Sequence, residues 1–104
     1  MRENCIKAIY GAPGKAPIFI EVENTLEALQ QVVGGHIESV TIEDGVCILC
    51  DEDGRMKGLQ PTMVYNGIDF VGPVLFVGTK GEEFCSIPDD FVGFLQSLGF
   101  NIAQ

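Results

Sequence analysis

A chain of 104 residues amounts to one domain, and at that length it buries about two-thirds of its unfolded surface, so neither a metal nor a disulfide is needed to hold it together. With 46% hydrophobic residues and 20% charged, the composition excludes an intrinsically disordered chain. Six basic residues against fifteen acidic ones leave a formal charge of −9, which disfavours a phosphate-binding basic patch and with it direct nucleic-acid binding.

In chain order, NCIKAIY at 4–10 has strand character and GAPGKAP at 11–17 is a loop broken by glycines and prolines. The loop is not a phosphate loop. Ile9 stands where that motif needs its first glycine, and Ala16 follows Lys15 where it needs Ser or Thr. IFIEV at 18–22 then returns as an antiparallel partner of the first strand. A helix over 24–33 follows. Asn24 is its expected N-cap with Glu27 three residues on, Leu26, Leu29 and Val33 form the apolar stripe, and Gly34-Gly35 ends it.

His36 begins the strand HIESVTIE. Its alternation sets Ile37, Ser39 and Thr41 on one face and His36, Glu38, Val40 and Ile42 on the other. The turn Glu43-Asp44-Gly45 leads to VCILCD, a return strand that looks buried on both faces. DEDGR at 51–55 reads as a solvated hairpin tip. As a calcium loop it fails, because Arg55 takes a ligand position and the closing glutamate is missing. MKGLQPTMVYNGID, from Met56 to Asp69, reads as an irregular surface connection. Such connections carry function disproportionately, which makes this the preferred place for a site.

FVGPVLFVG is the most apolar stretch and wants burial on both faces, while Pro73 argues for an edge strand or a bulge. After TKGEE come a short strand, FCSI, and a helix over 88–98. Ser86 with Asp89 supplies the expected capping box, Phe91, Phe94, Leu95 and Leu98 the stripe, and Gly99 the end. The sum is a single α+β domain over 1–104, with a mainly antiparallel five- or six-stranded sheet and two helices at 24–33 and 88–98. Two short helices do not cover both faces of such a sheet. It therefore either curls toward a half-barrel or buries its open face in a second copy, and the latter predicts a homodimer.

Cys5, Cys47, Cys50 and Cys85 invite a metal or redox reading, but CILC is a strand, and residues three apart on a strand point to opposite faces. Structural free thiols are expected, with no metal and no cofactor. No apolar run approaches the roughly 18 residues of a membrane span, and MRENCIKAIY lacks the core of a signal peptide. The expected location is the cytoplasm, with no membrane partner.

NTLEALQQVVGGHIESV, then VCILCDEDGRMKGLQP, then VGPVLFVG resemble a family of small uncharacterised bacterial proteins catalogued as a domain of unknown function, over about Ile6 to Phe91. The resemblance implies a fold and a genomic setting in phages, plasmids and other mobile elements rather than an activity. In that family a tyrosine often takes the place of His36, and GLPPNR-like residues the place of GLQPTM at 58–63. A histidine exchanged for tyrosine does not act as a general base.

Three functions are compatible with these residues. The leading one is a non-catalytic binding or regulatory module that takes a protein partner or a small ligand through Gln60, Thr62, Tyr65, Asn66 and Asp69, with His36 nearby. The second is an acidic decoy that occupies a nucleic-acid-binding surface, with Glu43, Asp44, Asp51, Glu52 and Asp53 gathered on one hairpin. The third is a small enzyme or nucleotide-binding protein, for which His36 and the cysteines are the candidate groups; no catalytic residue is assigned, because nothing near Cys47 or Cys50 activates a thiol.

Overall fold

The computed structural model describes residues 4–97. β1 (Cys5–Gly11) and β2 (Ile18–Glu23) pair antiparallel, with Ile6 opposite Val22 and Ile9 opposite Phe19. The chain then enters α1 (Leu26–Val33), whose N-cap is Thr25 and not Asn24: the Thr25 hydroxyl accepts from the Ala28 N–H at 3.2 Å. Both residue types cap well, and tertiary structure decides between them. Asn24 is drawn away, its side-chain amide donating to the Phe84 carbonyl at 3.0 Å. Leu29 and Val33 are buried as expected, but Leu26, in the first turn, is 60% exposed. Gly34 closes the helix at φ +93°, its N–H donating to the Gln30 carbonyl at 2.8 Å.

β3 (Ile37–Glu43) and β4 (Val46–Asp51) form the expected hairpin over Asp44-Gly45, and every residue of β4 is buried. DEDGR is not a hairpin tip. Residues 52–58 wind through successive turns, with the Gly54 N–H donating to Asp51 and the Lys57 N–H to Asp53. The segment read as irregular is also ordered. β5 (Pro61–Tyr65) and β6 (Ile68–Val71) pair over Asn66-Gly67, both at positive φ as a two-residue turn of type I′ requires. Pro73 creates neither an edge strand nor a bulge. It sits in the break between β6 and β7 (Val74–Lys80), where its missing N–H costs no ladder bond, and β7 is a central strand.

β8 (Glu83–Cys85) pairs with the end of β7, and α2 (Asp89–Ser97) follows. Ser86 does not cap this helix, because its hydroxyl accepts from the Lys7 N–H at 2.9 Å and so ties β8 to β1. Instead the Pro88 carbonyl accepts the first helical N–H groups, from Phe91 and Val92. Phe91 and Leu95 are buried while Phe94 stays 42% exposed; Leu98 and Gly99 lie outside the described residues.

The main sheet is antiparallel and open, in the order β2-β1-β7-β4-β3, with β8 as a sixth strand on β7. The α+β reading therefore holds, and both faces are covered by the chain itself. On one face α1 lays Leu29 and Val33 against Ile6, Ala8, Cys47, Leu49, Leu75 and Val77. On the other, the β5–β6 hairpin and α2 bring Tyr65, Phe70, Phe91 and Leu95 onto Ile9, Ile48, Cys50, Val74 and Phe76. Each of the buried Val, Leu, Ile and Phe side chains contributes about 1.5–3 kcal/mol. Neither curling nor a second copy is needed to bury the second face. Cys47 and Cys50 fall on opposite faces, and all four cysteines are free. Among the described residues no helix is long and apolar enough to cross a membrane.

Candidate functional site

The hairpin does not lie flush on the sheet. Between β3 and β6 it leaves a groove of about 390 Å³. Glu38 and Val40 of β3 and Cys50 of β4 form one wall, and Ile68, Asp69, Phe70 and Val71 of β6 the other. Asp51, Glu52 and Arg55 close one end. Alternation along β3 already sets Glu38 beside Val40, and the hairpin then roofs them. A volume of this size is within the range of small-molecule sites.

The six predicted binding residues do not converge on this groove. Asp69 lines it, and Arg55 donates to the Asp69 backbone carbonyl at 2.8 Å. His36 is 77% exposed at its side chain and reaches the groove only through Glu52, its Nδ1 lying 3.4 Å from Glu52 Oε1. Tyr65 points inward and is buried; burial, followed by the charge and hydrogen bond of Glu43, pushes its phenol up. Asn66 occupies the hairpin turn at φ +50°. Gln60 and Thr62 hold Gly72 from both sides: the Gln60 carbonyl accepts the Gly72 N–H at 2.8 Å, and the Thr62 hydroxyl donates to the Gly72 carbonyl. Thr62 also faces a smaller cavity with Gly11, Lys15 and Phe76.

One end of the groove is fixed by an ion pair that no motif in the sequence announces. The Asp51 side chain is 1% exposed, with Lys57 Nζ 2.6 Å from Oδ2 and the Asp53 N–H 2.9 Å from Oδ1. The Lys57 hydrogen bond holds the Asp51 carboxyl below the usual range against the opposing effect of burial. Lys57 also donates to the Gly34 carbonyl at 3.3 Å, so the end of α1, the end of β4 and the 52–58 turn meet at one point. Gly35 makes this junction possible, since a Cβ there would stand 2.8 Å from both Asp51 oxygens.

Cys50 is the groove's potential nucleophile, but its environment works against it. Burial, then the charges of Glu38 and Asp51, push its thiol up to about 11, and its Sγ lies 3.7 Å from the Glu38 carbonyl. At neutral pH it is a protonated thiol. Burial raises the Cys47 thiol as well. Among the described residues no group of three or more His, Cys, Asp or Glu is placed to hold a metal ion. The five carboxylates of the decoy reading do not form a track. Glu43 and Asp44 sit at one end of β4, Glu52 and Asp53 about 20 Å away at the other, and Asp51 is buried against Lys57. Glu43 and Asp44 instead rim a second cleft of about 370 Å³ with Asp90, above Val46, Phe91 and Phe94.

Residues 6–98 match the family model DUF3846, described as a domain of unknown function, and the chain belongs to that family. No curated protein and no solved structure matches it.

Proposed function

We propose that this member of the DUF3846 family is a non-catalytic binding module whose working surface is the groove between β3 and β6. The observation that carries the reading is the groove itself: it has an apolar floor and a carboxylate rim, and its one thiol is held protonated. Such a lining favours recognition over covalent chemistry. The resemblance to proteins of phages and plasmids supports a setting in a mobile element, and four free thiols support a reducing compartment such as the cytoplasm. The homodimer expected from an open sheet face loses that rationale, because α2 and the hairpin fill the face.

The test is site-specific photo-crosslinking in cells, with Ile68→benzoylphenylalanine in the groove and Glu27→benzoylphenylalanine on the exposed side of α1. The expected result is a discrete adduct from position 68 and none from position 27. Equal labelling from both positions, or none from position 68, contradicts the proposal.

A further inference from the structure

We propose that the groove receives an extended, positively charged peptide segment of a partner protein, laid along the open edge of β6. This inference rests on the binding-module reading and adds the chemistry of the partner. β6 pairs only with β5 among the described strands, in a register that sets Tyr65 opposite Ile68 across the two-residue turn. In an antiparallel ladder hydrogen-bonded and non-hydrogen-bonded pairs alternate, so Val64 and Asp69 form a non-hydrogen-bonded pair. Asp69 therefore turns its N–H and C=O away from β5. The Arg55 guanidinium, itself a groove residue, meets that carbonyl at 2.8 Å. A strand edge with outward-facing backbone groups is the template used in β-strand addition.

Charge selects the occupant. Glu38, Glu52 and Asp69 stand around the groove, and Arg55 is the one basic residue in its lining. An incoming Lys or Arg meets carboxylates on both walls, with Ile68 (41% exposed) and Val40 to cover its aliphatic stem. A second copy of this chain, at −9, brings the wrong sign.

The test is titration of the full chain with an end-blocked Lys-Val-Lys-Val-Lys-Val peptide, followed by amide NMR shifts and fluorescence anisotropy, with Glu-Val-Glu-Val-Glu-Val as the control. The lysine peptide is expected to bind, to shift the Asp69 and Val71 amides most, and to weaken as salt rises. The paired substitution Glu38→Gln and Asp69→Asn, both at exposed positions, is expected to weaken binding about tenfold while retaining the folded spectrum. Arg55→Ala, which uncovers the Asp69 carbonyl, is expected to bind at least as tightly as the unaltered protein. Equal binding of the acidic peptide, shifts centred away from β6, or unchanged affinity in the paired variant overturns the inference. A cross-link from position 68 without lysine-peptide binding leaves the binding-module reading standing and removes this one; absence of both removes both.

Discussion

Asp51 is the one buried charged residue of the described core, and its partner Lys57 is half-exposed. Lys57→Met leaves the carboxylate without its main partner. It is expected to cost about 1–3 kcal/mol in urea unfolding, less than a fully buried pair because water reaches the lysine end. The pH dependence follows from the direction of the shift. The folded carboxyl lies below its unfolded value of about 3.9, so its contribution is complete above that pH and is lost as pH falls through the folded value. Asp51→Asn should flatten that acid limb. Gly35→Ala sets a methyl against a carboxylate that cannot move aside, at an expected cost of about 1–3 kcal/mol, and much less in an Asp51→Ala background. Additive costs in the double variant would refute the contact. The cysteines give a further check: at pH 8, iodoacetamide should modify the partly exposed Cys85 first, while Cys47 and Cys50 react only on unfolding.

Among the elements, the β5–β6 hairpin decides the site. Without it Glu38 and Val40 would lie on an open sheet face. Phe70→Ala should cost about 3–5 kcal/mol, because Phe70 is the hairpin's anchor in the core. Gly67→Ala should cost about 1–2 kcal/mol from backbone conformation alone, since φ is +77° and no atom lies near the added methyl. An unchanged urea midpoint for Gly67→Ala would contradict the turn. Strands and helices with clear periodicity were legible in the chain: the 4–10 and 18–22 pair, VCILCD, and α1 with its glycine stop. The hairpin has one local signal, Asn66-Gly67 between MVY and IDF. Pro61 and the brevity of both strands give the segment the pattern of a loop, and FVGPVLFVG has the pattern of one strand although it holds the end of β6 and the start of β7. Glu38 and Arg55 stayed hidden for the same reason, since only the fold-back brings β6 over β3. The capping predictions failed locally because Asn24 and Ser86 each answer to a distant strand.

For the whole molecule, the consequence is that one chain closes both faces of its sheet and still leaves a groove open between β3 and β6. The radius of gyration of 12.7 Å is that of a compact domain of this length. The carboxylates at the two ends of the β3–β4 hairpin fall into two separate groups, one at the groove and one, Glu43 and Asp44 with Asp90, at the second cleft, and do not form a continuous track. The most direct measurement is native mass spectrometry across a micromolar dilution series. An 11.3 kDa monomer at every concentration is the predicted result, with the groove free for a partner. A dimer that survives dilution and loses its stability on substitution of Ile68 would place a second copy in the groove and contradict the account.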